Sequence, residues 1–199
     1  MKLRKVLAIA LAAALLVLTL PNVVFFAETT TYNVSTADEF VAALDEINAS
    51  TAEGVSYIVN VTDNITLSSK WYVKKDITLI TGDNAITSAY SSNSFVSVSG
   101  GKLTLGTATD KCTIIGNSDA GDGGVLIYVG NAGAGGELVL NAGATIKDNN
   151  VTNYFGGAVI VQGPGSMTMN GGTIDNCGIS SGQPATAAVL QYLAAVHLQ

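Results

Sequence analysis

Between Ile58 and Tyr192, short apolar segments occur in groups of three, and five such groups, here called rounds, follow one another. The segments end in Gly, Asn or Ser. The first segments of the rounds start at residues 58, 77, 103, 138 and 167. The second segments are centred on isoleucines, namely Ile65, Ile86, Ile114, Ile146 and Ile174. The third segments cover residues 71–73, 95–98, 125–129, 158–161 and 189–192. Such units bury their apolar residues only by stacking, so the pattern predicts a solenoid of about five coils.

Alternation within the first segments separates inward from outward side chains. The expected inward row consists of Ile77, Leu103, Leu138 and Met167. The expected outward row consists of Thr78, Thr104, Val139 and Thr168. Each buried aliphatic side chain contributes roughly 1.5 to 3 kcal/mol, so inward rows on three faces are the expected main source of stability.

One amphipathic helix is predicted over residues 35–48, just before the first coil. Thr36 as N-cap and Glu39 three positions later form a capping box. The apolar stripe consists of Phe40, Ala43, Leu44 and Ile47. A solenoid exposes apolar side chains at its first coil, so we expect this helix to cover that end. The alternative is a helix with only local significance.

Residues 1–27 resemble a secretory signal peptide, with three positive charges before an apolar run from Val6 to Leu18. Phe25 stands where a small residue is preferred before cleavage, so a retained membrane anchor is the alternative. The predicted organisation is a signal peptide (1–27), an N-terminal segment with the capping helix (28–54) and a β-solenoid (55–199) that is truncated at its C-terminus. Secretion or cell-surface display is therefore expected.

The charge balance excludes some partners. After residue 27 the chain has six lysines, fifteen carboxylates and no arginine, for a net charge of −9. Nucleic acids and anionic membranes are recognised through Lys and Arg, so we expect neither as a partner. Cys112 and Cys177 lie two coils apart, and parallel strands in adjacent coils are already about 4.8 Å apart, so free thiols are expected.

Three stretches carry a resemblance to a known family: residues 135–149, 156–161 and 167–176, with their Gly pairs and Thr-Ile-x-x-Asn corners. They resemble the repeats of bacterial surface proteins with a right-handed, single-stranded parallel β-helix of the pectate-lyase-like superfold, and those of adhesin passenger domains. The resemblance covers residues 99–178 well and 55–98 loosely. Cys177 departs from the pattern, because it stands where Asn117 and Asn149 stand in earlier coils.

That resemblance raises the question of catalysis on polysaccharides. Lyases of the group use calcium-binding aspartates with an arginine base, and no arginine follows Arg4. Glycoside hydrolases use paired carboxylates, and adjacent coils place Asp148 and Asp175 one residue apart in the aligned corners. The alternative for these two residues is a pair of solvated corner carboxylates.

Other candidate ligand-binding residues lie in the corners. Asp119 and Asp122 could hold calcium, although two ligands are fewer than a calcium loop supplies. Tyr90, Tyr154 and Phe155 could stack on sugar rings or anchor a protein partner. No cofactor is expected.

The sequence therefore predicts a non-catalytic β-helical module for adhesion or structural display, with a glycan or a surface protein as partner. The alternative is a polysaccharide-degrading lyase or hydrolase with divergent or missing catalytic coils. An ice-binding face of threonines is a weaker interpretation, because Val139 interrupts the row.

The C-terminal end of the solenoid is expected to be adhesive. No sixth coil follows the apolar Ile174, Val189 and Leu190. We therefore expect end-to-end self-association, unless residues 193–198 fold back over this end as a helix.

Overall fold

The computed structural model describes residues 28–117, 124–131, 133–151, 157–179, 189–192 and 195–198. Over these residues the chain forms a parallel β-solenoid of about five turns, with three sheets along its sides and one helix near the N-terminus. All strand pairs within the three sheets are parallel. The predicted fold class is confirmed.

The first sheet has seven strands, one from each successive level of the solenoid. In spatial order they are β1 (Glu28–Val34), β2 (Val55–Val61), β5 (Ile77–Ile80), β8 (Lys102–Leu105), β11 (Glu137–Leu140), β14 (Ser166–Met169) and β17 (Ala195–Leu198).

The other two sheets have five strands each. The second sheet contains β3 (Ile65–Leu67), β6 (Ile86–Ser88), β9 (Cys112–Ile115), β12 (Ala144–Val151) and β15 (Thr173–Ile179). The third sheet contains β4 (Trp71–Val73), β7 (Val96–Val98), β10 (Ile127–Val129), β13 (Val159–Gln162) and β16 (Val189–Tyr192).

Equivalent positions of successive turns stack in register along the solenoid. Both predicted rows of the first sheet are confirmed, since Ile77, Leu103, Leu138 and Met167 pair in sequence and are buried. The five isoleucines of the second sheet also align from turn to turn. Ile58 differs from the inward first-segment positions, because Tyr57, Val59 and Val61 fill the core and Ile58 joins the outward row beside Thr78.

The helix α1 (Ala37–Ala49) closes the N-terminal end as predicted. Its capping box is formed, with the Glu39 amide donating to the Thr36 hydroxyl at 3.2 Å and the Glu39 carboxylate accepting from the Thr36 amide at 3.2 Å. Phe40, Ala43, Leu44 and Ile47 are buried. The Phe40 ring packs edge-on against Trp71 of β4, with ring centroids 5.3 Å apart. The helix thus covers the first strands of the second and third sheets.

Two features at the chain ends differ from the expectations. Strand β1 precedes α1 and extends the first sheet by one level before β2. At the other end, Ala195–Leu198 pairs as a strand with β14 instead of forming a helical cap. Cys112 and Cys177 are free thiols, as predicted.

Candidate functional site

The outer face of the first sheet presents three parallel columns of side chains. Pairing in register repeats each column position once per strand, at the strand spacing of about 4.8 Å. Seven strands build this face, against five in each of the other sheets. Among the described residues, this sheet therefore has the most strands.

The central column is made of small apolar or β-branched side chains. Its half-buried members in pairing order are Ile58, Thr78, Thr104, Val139 and Thr168. Threonine and valine suit a strand because their branched side chains pack on the pleated surface. The column is thus flat and mixes methyl groups with hydroxyls.

A charged column flanks it on one side. Lys102 lies between Asp76 of the preceding turn and Glu137 of the following one. The Lys102 ammonium is 3.8 Å from the Asp76 carboxylate, which also accepts the Lys102 amide at 3.1 Å. Both partners are well exposed, so the pair contributes little to stability, and its alternating charges are accessible to a ligand.

On the other side lies an amide column of two asparagine pairs, which is interrupted at Ile80, the residue paired in register with Asn60. The Asn60 side chain donates to the Asn33 side-chain oxygen at 2.9 Å, and Asn170 donates in the same way to Asn141 at 3.2 Å. Asn141 in turn donates to the Gly106 carbonyl at 3.0 Å. These hydrogen bonds hold the amides in fixed orientations along the face.

The corner between the second and third sheets is held by a buried asparagine. Asn149 is 2% exposed. Its side-chain oxygen accepts a hydrogen bond from the backbone N–H of Asn117 at 3.0 Å. Its side-chain NH₂ group donates to the Gly124 carbonyl at 2.8 Å and to the Gly157 carbonyl. In the next turn Cys177 takes the position of Asn149 in the strand register. Its thiol instead donates to the Asp175 carbonyl at 3.2 Å.

The candidate carboxylates Asp148 and Asp175 lie at this corner with different neighbours. Asp148 has a left-handed φ of 58°; its carboxylate accepts from the Asn176 amide group at 2.8 Å and lies 3.6 Å from the Lys147 ammonium. Asp175 is exposed. It pairs in register with Lys147, the residue just before Asp148. Hydrogen bonding and ion pairing therefore hold the Asp148 carboxylate, which stays partly exposed, whereas Asp175 is exposed.

A shallow groove follows the corner between the third and first sheets. Its volume is about 420 Å³, and a continuation that shares Asp76 and Gly100 adds about 360 Å³. Charged residues line both parts, namely Glu53, Lys74, Lys75, Asp76, Lys102 and Glu137. The groove therefore carries equal numbers of acidic and basic side chains.

The remaining candidates from the sequence have separate outcomes. Asp119, Asp122, Tyr154 and Phe155 lie outside the described residues. Tyr90 is half-buried, packs against the core, and accepts a hydrogen bond from the Ser92 hydroxyl on its phenol oxygen at 3.3 Å. Within the described ranges, no group of three His, Cys, Asp or Glu residues is arranged to hold a metal ion.

Two features around β4 were not anticipated from the sequence. The Asn48 side chain of α1 donates a hydrogen bond to the Tyr72 carbonyl and accepts one from the Lys74 backbone N–H. The Tyr72 side chain is exposed and lies beside Lys70. The alternation of Trp71, Tyr72 and Val73 would have indicated that Tyr72 faces outward.

Comparisons of the chain with protein-family models, with curated proteins and with solved structures found no match. Over the residues described, the structure has no helix that is long and apolar enough to cross a membrane.

Proposed function

We propose that the protein is a secreted or cell-surface, non-catalytic β-helical module, and that the outer face of its first sheet serves adhesion or structural display toward a glycan or a protein. The observation that carries this proposal is the three-column face, with β-branched residues on five consecutive turns, alternating charges on three turns, and one hydrogen-bonded asparagine pair toward each end.

The repeat of this face suits an extended partner. A polymer that lies along the solenoid axis meets a β-branched side chain once per strand over five strands, about every 4.8 Å, with charged groups and amides beside this row. The fixed amides lose little side-chain entropy on binding, because hydrogen bonds already order them. Such a face gains affinity from many weak, repeated contacts rather than from one deep pocket.

The corner chemistry supports a finer placement in the pectate-lyase-like superfold of bacterial surface proteins. Asn117 and Asn149 connect successive turns at one corner, and Gly136 lies so close to the Val98 carbonyl that a β-carbon there would approach it to 2.3 Å. These are the Asn and Gly-pair positions on which the resemblance rests.

The neighbours of Asp148 favour a non-catalytic role. A glycosidase acid and its partner carboxylate must both face the scissile bond. The Asp148 carboxylate instead accepts a hydrogen bond from Asn176 and forms an ion pair with Lys147. These contacts are typical of a residue that stabilises a corner of the solenoid.

The test is binding of residues 28–199 to glycan and protein arrays, followed by the double substitution Thr78→Lys and Thr104→Lys on the proposed face. Thr113→Lys with Thr145→Lys is the matched control, because these threonines are also half-buried and adjacent in register, but on the second sheet. Loss of binding only in the first variant supports the proposal. Equal binding by both variants and the unmodified chain would refute the assignment of the face.

Catalysis is tested separately. We expect polygalacturonate to remain intact on incubation with the protein. Turnover that disappears in Asp148→Ala or Asp175→Ala would replace the proposal with the polysaccharide-degrading alternative.

A further inference from the structure

The lysines of the solenoid divide into two groups of three. Lys102, Lys111 and Lys147 form ion pairs with Asp76, Asp83 and Asp148 at 3.8, 2.7 and 3.6 Å. Within the part of the chain that the structure describes, Lys70, Lys74 and Lys75 form no ion pair. These three lysines all flank the three-residue strand β4. In a chain with a net charge of −9 after residue 27, the unpaired positive charge is thus concentrated at one place.

An exposed tyrosine lies in the middle of this group. Alternation through β4 turns Trp71 and Val73 into the core and Tyr72 outward, where it is 47% exposed. Lys70 and Lys74 are the next positions on the outward side, and the Lys70 ammonium lies 5.2 Å from the centre of the Tyr72 ring. From Lys70 to Lys74 the row extends for about 13 Å along the strand.

The backbone beneath this row is fixed. The Asn48 amide donates to the Tyr72 carbonyl and its oxygen accepts from the Lys74 amide, both at 2.9 Å. Lys75 continues the basic surface into the groove of about 420 Å³ that Lys74 also lines. Partial burial lowers the pKa of Lys70 because its ammonium loses hydrating water. A negatively charged group bound there would replace that water.

We propose that Lys70, Tyr72, Lys74 and Lys75 form a binding site for an acidic glycan, in which the lysines bind carboxylate or sulfate groups and Tyr72 stacks on a sugar ring. A sugar ring offers C–H groups to an aromatic face, and lysine ammonium groups bind anionic oxygens. An acidic peptide would meet the same charges but would have no ring for Tyr72. This inference rests on the proposed role in adhesion and adds a ligand class and a second site, centred on β4 of the third sheet.

The overall negative charge does not prevent such binding. At physiological ionic strength charges act over about 8 Å, so a ligand at β4 responds mainly to nearby groups. Glu53 is the opposing carboxylate that lines the adjoining groove, whereas Asp76 is paired with Lys102. We therefore expect short oligosaccharides to bind better than long polyanions, which would reach the acidic surface elsewhere.

The experiment measures binding of residues 28–199 to immobilised hyaluronan and heparin oligosaccharides, with carboxyl-reduced hyaluronan as the neutral counterpart. The variant replaces Lys70, Lys74 and Lys75 with Gln. The control variant combines Lys111→Glu with Lys147→Gln, which gives the same net charge and leaves the outer face of the first sheet unchanged. We expect about tenfold weaker binding only in the first variant, since three exposed charge contacts are lost. Binding should be retained when the same three lysines become Arg.

Two further variants test the other residues of the site. Tyr72→Ser should weaken binding at unchanged net charge, and Glu53→Gln should strengthen it.

The comparison of the two oligosaccharides distinguishes carboxylate from sulfate as the bound group. Equal losses in the lysine variant and its charge-matched control, equal binding of the neutral polymer, or no binding at all would overturn the site. Binding of polyglutamate or of phosphatidylserine vesicles, without binding of the oligosaccharides, would overturn the glycan assignment. The variant Thr78→Lys with Thr104→Lys should bind these oligosaccharides normally, so failure of this site and failure of the proposed adhesive face are separate results.

Discussion

Asn48 replaces a missing neighbour strand at the edge of the third sheet. Strand β4 is the first strand of that sheet, so one edge of its backbone would lack partners. The Asn48 side chain donates to the Tyr72 carbonyl and accepts from the Lys74 amide, each at 2.9 Å. A side-chain amide has the same donor and acceptor as a peptide group, and α1 holds it where an adjacent strand would lie.

The cost of removing it follows from these two hydrogen bonds. Each contributes about 1 kcal/mol net, so Asn48→Ala should lose about 2 kcal/mol. Alanine favours a helix more than asparagine does, by about 0.5 kcal/mol. The expected net destabilisation is about 1.5 kcal/mol, which corresponds to a fall in Tm of about 3 to 6 °C for a domain of this size.

Thermal and urea denaturation of residues 28–199, followed by circular dichroism, measures this change. Asp45→Ala is the control, because Asp45 is an exposed residue of the same helix, and its change should stay within about 0.5 kcal/mol. If Asn48→Ala is no less stable than Asp45→Ala, the amide does not hold the strand edge and the argument fails.

Three further predictions concern the corners and the cap. Asn149→Ala should destabilise the protein by about 2 to 4 kcal/mol in urea denaturation, because it leaves three backbone groups at a buried corner without their partner. Burial raises the pKa of the Cys112 thiol to about 12, so a thiol reagent at pH 8 should leave it unmodified in the folded protein, while the half-buried Cys177, whose pKa burial also raises, should react slowly. Hydrogen bonds from Ser35 and Thr36 lower the pKa of Glu39, so its stabilisation of the helix cap is complete above the unfolded pKa near 4.5 and is lost as the pH falls through the folded value.

Each of these has its own control. Asn170→Ala removes an exposed outward amide and should cost far less than Asn149→Ala; equal costs would contradict the role of the buried corner. Denaturant should make both thiols react at the same rate, and rapid labelling of native Cys112 would show that it is accessible. Glu39→Gln should remove the acid-dependent part of the stability, and an unchanged pH profile would show that the capping box does not titrate.

The rows of the solenoid could be predicted because their periodicity is simple. Strand alternation separates inward from outward positions, and stacking repeats that choice in every turn. The first segment of the first round starts before Ile58 in the structure, so Tyr57 belongs to the inward set although the apolar pattern begins at Ile58. Strand β1 was missed because it lies before α1, outside the repeating region, although Thr30, Tyr32 and Val34 alternate in the same way.

Other features depend on contacts that a single sequence does not display. The segment Ala195–Leu198 has helix-favouring residues, yet it pairs as a strand because β14 offers an open edge, and tertiary pairing overrides local propensity. The basic site around β4 was not anticipated, since which lysines lack a carboxylate partner depends on the turns above and below. Asn48 gave no signal either, because its partners are backbone groups 24 and 26 residues away.

The acidic helix at the N-terminal end gives the solenoid a direction. Strand β1 is the terminal strand of the first sheet, and such an edge can pair with a strand of another molecule. Beside it α1 exposes Asp38, Glu39, Asp45 and Glu46 without a basic residue in its last turn. Another copy of this chain, itself strongly acidic, would be repelled at this end. We therefore expect the acidic helix to disfavour pairing of another copy with β1.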